Sequence, residues 1–88
     1  AAAPAARPAP ARAHPDRAAQ NASRKREREL SRLENEIATR ETRVKELETL
    51  LADPELYHDL ARSRDIVAEF ERTRAEIESL WQRLAELG

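Results

Sequence analysis

Two groups of residues in this chain have side chains suited to contacting a nucleic acid. The first group, which we call the basic cluster, consists of Arg24, Lys25, Arg26 and Arg28. The second, which we call the tip group, consists of Tyr57, Arg62 and Arg64. Lysine and arginine neutralise phosphates and release counterions, and a tyrosine ring stacks on an exposed base. The sequence therefore predicts a nucleic-acid contact at one or both of these places.

Both groups also have a purely structural interpretation. The basic cluster could offset the negative end of a neighbouring helix. At the tip group, Leu56 and Tyr57 could close the open end of a helical core instead of contacting a ligand. Trp81 is a third candidate, because an exposed tryptophan would indicate docking onto another domain.

The sequence contains no residues with the spacing of a catalytic or metal site. The chain has one Gly and no Cys, which excludes a Gly-rich phosphate loop and a thiolate zinc site. His58 and Asp59 are adjacent, but two adjacent ligands do not make a metal site. We therefore expect no catalytic residue, no metal and no cofactor in this chain.

The elements that must position these groups are set by a helix break at Asp53 and Pro54. Proline lacks an N–H and disfavours helical geometry at the residue before it, so a helix that reaches this point should end. Asp53 can then cap a new helical turn that has Pro54 at its first position and Glu55 behind it.

Heptad patterns of apolar residues lie on both sides of the break. Before it they are Leu30, Leu33, Ile37, Val44, Leu47 and Leu51. After it they are Ile66, Phe70, Ile77, Leu80, Leu84 and Leu87, with Thr73 as the one polar member. This spacing is typical of a coiled coil. It predicts an all-α fold, a two-helix antiparallel coiled-coil hairpin, with helices over about 23–51 and about 62–87 and a tip over 52–65 that contains a short helical turn.

The register of the hairpin follows from matching a positions with d positions. The predicted pairs include Leu33 with Leu84, Ile37 with Leu80, Leu47 with Phe70, and Leu51 with Ile66. A register one heptad shorter would place Arg40 against Phe70. In the favoured register Arg40 occupies a core position, where its guanidinium should reach Glu76 or Glu36 at the surface.

The N-terminal part of the chain has a different composition. Residues 1–22 contain four of the five prolines and eleven alanines, three arginines, and no Val, Ile, Leu or aromatic residue. Such a stretch buries too little apolar surface to offset the entropy of ordering it. We predict a disordered Ala/Pro/Arg interdomain linker over 1–22 and a hairpin domain over 23–88, as a segment of a longer protein.

Several of these motifs resemble the C-terminal coiled-coil domain of ABC-F ATPases, in particular their Uup-like branch. The resembling strings are Leu-Ala-Asp-Pro-Glu-Leu-Tyr at residues 51–57, Val-Ala-Glu-Phe-Glu-Arg at 67–72 and Leu-Trp-Gln-Arg-Leu at 80–84. The resemblance covers residues 24–87. It departs from the family at Gln82, where a glutamate is common.

The resemblance implies a role for the chain within a longer, cytoplasmic ATPase. ABC-F proteins have two fused ATP-binding cassettes, which use ATP and Mg²⁺, and they have no membrane domain. The chain has no Walker motif, so ATP hydrolysis would belong to the cassettes. The implied partners are DNA or ribosomal RNA and the protein's own cassettes, with no membrane. Because the hairpin body is acidic, we expect the nucleic acid to be bound weakly, and we expect a monomer.

Two rival interpretations share the hairpin architecture. The C-terminal arm of valyl-tRNA synthetase is also a helical hairpin with an interrupted turn. A structural spacer or a dimerising or docking coiled coil would have no nucleic-acid contact, and two hairpins could join through Leu50, Val67 and Trp81. A mass that depends on concentration would favour the dimer.

Overall fold

Two helices and a short turn make up the described part of the chain. The structure, a computed structural model, describes the backbone of residues 8–88 and the side chains of residues 16–88. Helix α1 spans Pro8–Leu51, a 3-10 turn spans Pro54–His58, and helix α2 spans Leu60–Leu87. The predicted all-α class is confirmed. No helix within the described range is long and apolar enough to cross a bilayer.

The start of α1 differs from the prediction. The helix begins at Pro8 and not near Ser23, so residues 8–22 lie within α1. The disorder predicted for the linker over 1–22 stays a prediction. Proline is tolerated at the first position of a helix, and Ala18, Ala19 and Ala22 supply the residue with the highest helix propensity. Residues 1–7, the rest of the predicted linker, lie outside the described residues.

The break between the helices is built by two aspartate caps. The Oδ1 atom of Asp53 accepts a hydrogen bond from the Glu55 N–H at 3.0 Å, and Pro54 opens the 3-10 turn, as predicted. The Oδ1 atom of Asp59 accepts from the Arg62 N–H at 3.0 Å. This second cap starts α2 at Leu60 and ends the tip at Asp59. The sequence had predicted a start at about residue 62, because Asp59 was not identified as a cap.

The chain divides into a first unit, Ala1–Leu30, and a second unit, Ser31–Gly88, which contains the hairpin core. One buried cluster consists of Leu33, Ile37 and Leu80, with Ile77, Leu84 and Leu87 packed against it. The other consists of Leu47, Leu56 and Ile66, with Leu50, Leu51 and Phe70 packed against it. The four predicted pairs named above each fall within one shared cluster, in agreement with the predicted antiparallel register.

Polar residues in the core pack as the register requires. The Nε atom of Arg40 lies 3.6 Å from Glu76 Oε1, and the Nη1 group of Arg40 donates to the Glu36 backbone carbonyl at 3.3 Å. The prediction that Arg40 reaches the surface is confirmed. Thr73 is buried in the middle of α2. A lone polar core residue lowers stability but excludes slipped pairings.

A second ion pair joins the two helices of the hairpin. Arg43 donates two hydrogen bonds to the Glu69 carboxylate, from Nε at 2.6 Å and from Nη2 at 2.9 Å. This two-point geometry holds the pKa of Glu69 below its usual value, with the hydrogen bond from Arg43 as the main cause. The pair therefore stabilises the hairpin above the ordinary pKa of a glutamate, and this stabilisation is lost when acid protonates Glu69.

Candidate nucleic-acid interface

The basic cluster lies on α1, within the first unit of the chain, and all four of its side chains are exposed. Successive residues of an α-helix are about 100° apart. Arg24, Lys25 and Arg28 therefore fall within an arc of about 100° on one side of α1, whereas Arg26 falls outside it. The structure thus groups three of the four basic residues into one surface that can follow a phosphate strand.

Charge separates the two units of the chain. Residues 1–30 carry seven Lys or Arg and three acids, a balance of +4, and residues 31–88 carry nine against fourteen, a balance of −5. Glu27 and Glu29 lie beside the basic cluster and reduce the charge of residues 24–29 to +2, from four cations and two acids. The first unit therefore carries the positive charge balance, which is the sign that favours a polyanion.

At the tip, Tyr57 and Arg64 line one shallow depression together with Ser63, Val67, Ala68 and one acid, Glu71. The Tyr57 hydroxyl donates to the Leu51 carbonyl at 2.5 Å, which satisfies an acceptor at the end of α1. The Tyr57 ring remains 57% exposed. An exposed aromatic ring held at its hydroxyl end is the kind of surface on which a base can stack, which is the role that the sequence predicted for Tyr57.

Arg62 lies in different surroundings from the other two members of the tip group. It lines a small hollow together with Leu50, Leu56 and three carboxylate residues, Asp53, Glu55 and Asp59. These acids oppose the approach of a phosphate. The structure therefore brings Tyr57 and Arg64 together and leaves Arg62 in an acidic environment.

The structural interpretation of the tip also holds in part. Leu56 is buried in the core cluster next to the turn, so it closes the end of the core as expected. His58 Nε2 lies 3.8 Å from Glu55 Oε2, a contact between two exposed side chains. Within residues 16–88, no three His, Cys, Asp or Glu residues are grouped so that they could hold a metal ion.

Sequence reasoning did not identify an open groove along one side of the hairpin, which we call the Trp81 groove. Its floor is formed by Val44, Phe70 and Ile77, and Trp81 stands at one end. The available signal was the seven-residue spacing of Leu60, Val67 and Trp81, with Arg74 between the last two. All three apolar residues are exposed. An apolar row of this kind beside the core positions leaves a second face of α2 without a partner in this hairpin.

The fold defines this protein as a two-helix antiparallel coiled-coil arm with a capped, interrupted turn. A search of known protein families matched residues 21–88 to the family described as the ABC transporter C-terminal domain. Because that match covers most of the sequence, the chain belongs to this family. Comparison with curated proteins and with solved structures gave no match.

Proposed function

We propose that this chain is a non-catalytic nucleic-acid-binding arm of a two-cassette ABC-F ATPase, and that it contacts DNA or ribosomal RNA. The observation that carries the proposal is the shared face of Arg24, Lys25 and Arg28 in the one unit with a positive charge balance. Exposed cations in a row neutralise successive phosphates. Tyr57 and Arg64 supply a second, smaller contact, and Arg26 and Arg62 contribute less.

The ABC-F assignment rests on the strings at residues 51–57 and 80–84 together with the family match. In such a protein the cassettes bind ATP and Mg²⁺ and hydrolyse ATP in the cytoplasm, and this arm supplies binding alone. The arm acts as a monomer beside its own cassettes. Its fold supports the role, because a thin hairpin can extend from a cassette and still present its surface residues to a large partner.

The proposed binding is weak and depends on salt. Only a few phosphates can be neutralised by the basic cluster, and the acidic second unit repels the remainder of a polyanion. In the parent protein, contacts made by the cassettes would raise the overall affinity, because two linked modules bind more tightly than either module alone.

The test is fluorescence anisotropy of a labelled short duplex, a branched DNA and a ribosomal RNA hairpin, each titrated with this chain. We expect binding at about 50 mM salt that falls by tenfold or more at about 200 mM salt, because counterion release drives it. No increase in anisotropy with any of the three at low salt would contradict the proposal. Affinity that does not change with salt would contradict its electrostatic basis.

The alternative is a spacer or dimerising coiled coil without a nucleic-acid contact. The exposure of Val67 and Trp81 favours it, because these residues were the ones expected at a hairpin–hairpin contact. Analytical ultracentrifugation separates the two functions. A mass that doubles with concentration, without nucleic-acid binding, would support the alternative.

A further inference from the structure

The Trp81 groove has an apolar floor and an acidic rim. Val44, Phe70 and Ile77 form the floor, and all three are only half-buried by the two helices that carry them. From Phe70 to Trp81, α2 rises about 16 Å, which is roughly three helical turns. A groove of this length between two helices matches the apolar stripe of a third helix.

The rim of the groove is mainly acidic. Four glutamates line it, Glu41, Glu48, Glu71 and Glu78, against two cations, Lys45 and Arg74. None of the four glutamates forms an ion pair within the part of the chain that the structure describes. The interhelical pairs of the hairpin, Arg40 with Glu76 and Arg43 with Glu69, involve none of the groove residues. The carboxylates of the rim are therefore available to a partner.

One of the two cations is engaged with the floor. The guanidinium carbon of Arg74 lies 5.5 Å from the centroid of the Phe70 ring, a cation–π arrangement. Arg74 takes the place in the row of Leu60, Val67 and Trp81 where a further apolar residue would complete the stripe. Arg74 therefore places a charged group at the edge of the groove floor, next to Phe70.

The apolar floor and the acidic rim of the groove together indicate what kind of partner it would bind. We propose that it binds an amphipathic helix from a partner protein that carries Lys and Arg on both sides of an apolar stripe. The stripe would lie on Val44, Phe70, Ile77 and Trp81, and the basic side chains would reach the glutamates of the rim. A second copy of this hairpin fits less well, because its own groove would bring a second acidic rim. The same rim repels nucleic acid, so this site is independent of the proposed function.

The probe is a synthetic, tryptophan-free peptide of about 18 residues, with leucines at helical spacing and Lys or Arg on the flanks. Trp81 is the only tryptophan in the chain, so its emission reports occupation of the groove. We expect a saturable blue shift of Trp81 emission with this peptide. A matched peptide with Glu in place of Lys and Arg should bind at least tenfold more weakly.

Two double variants separate the groove from general attraction between an acidic protein and a basic peptide. Glu41→Gln with Glu78→Gln removes two rim charges, and we expect about a tenfold loss of affinity. Glu46→Gln with Glu86→Gln removes two exposed charges that do not line the groove and should leave the affinity within about twofold. Circular dichroism checks that both variants keep the hairpin fold.

Four results would overturn the proposal. The first is the absence of a Trp81 shift with the basic peptide, and the second is equal binding of the basic and acidic peptides. The third is an equal loss of affinity in both double variants, which would show non-specific attraction. A Trp81 shift that appears on raising the concentration of this chain alone would assign the groove to a second copy and would also overturn it.

Discussion

Replacing Leu47 with Asp is expected to eliminate the cooperative unfolding transition of the hairpin at neutral pH. Leu47 has 0% exposure and packs in the cluster with Leu56 and Ile66. Removing a buried leucine side chain costs about 2–5 kcal/mol, and an unpaired buried carboxylate adds a desolvation cost. A core as small as this one supplies roughly 3–5 kcal/mol in total, so the variant should be unfolded.

The measurement is thermal and urea unfolding followed by circular dichroism. Leu60→Asp is the matched control, because the same substitution is made at a leucine that is 60% exposed. Leu60 is also the first residue of α2, where an acidic side chain is favourable. The control should stay within about 0.5 kcal/mol of the parent. If Leu47→Asp kept the parent's melting temperature, the core described above would be wrong.

Reversing the charge of Arg24, Lys25 and Arg28 to Glu is expected to abolish nucleic-acid binding. These three residues share one face of α1. Each phosphate contact makes the slope of log affinity against log salt concentration steeper by about 0.9. We expect a loss of roughly a hundredfold or more at low salt, together with a smaller salt slope. Fluorescence anisotropy with the labelled duplex measures both quantities.

Two comparisons make the charge reversal specific. Arg26→Glu alone should have the smaller effect, because Arg26 lies outside the shared face. Arg24→Lys with Arg28→Lys keeps the charge and should retain the affinity within about threefold, since phosphates are neutralised by either cation. Unchanged affinity after the triple reversal would place the contact elsewhere. Unfolding curves that match the parent's would show that the exposed substitutions leave the hairpin intact.

Local and periodic signals were sufficient to predict most of the fold. Asp53 followed by Pro54 predicted both the end of one helix and the cap of the next turn, because each effect depends only on adjacent residues. The heptad spacing predicted the antiparallel pairs, since a two-helix core has few ways to bury its leucines. The contact of Arg40 with Glu76 followed from that register and not from any local preference.

Features that depend on competing local preferences were not predicted. The structure begins α1 at Pro8 whereas the sequence predicted a start near Ser23, because the prolines and the alanines of residues 1–22 have opposite helix preferences. Asp59 was not identified as a cap, so α2 was expected to begin too late. Arg43 and Glu69 were not paired, because the choice among neighbouring charges across two helices depends on side-chain geometry that spacing alone does not define.

The sequence identified which residues could contact a nucleic acid, but it did not show which of them share a surface. Charge alone identified the basic cluster, but only the helical positions separate Arg26 from its three neighbours. In the tip group, the carboxylates around Arg62 come from both the 3-10 turn and the caps, so their effect became clear only in three dimensions. The Trp81 groove was overlooked because its floor residues had been assigned wholly to the core.

The central claim, that this arm binds nucleic acid through the basic cluster, is tested most directly by NMR. The amide shifts of the chain would be followed during titration with a short duplex, a branched DNA and a ribosomal RNA hairpin, at about 50 mM and about 200 mM salt. We predict shifts concentrated at residues 24–28, with smaller ones at Tyr57 and Arg64, and their loss at the higher salt. Absence of shifts with all three ligands, or shifts confined to the Trp81 groove, would contradict the claim.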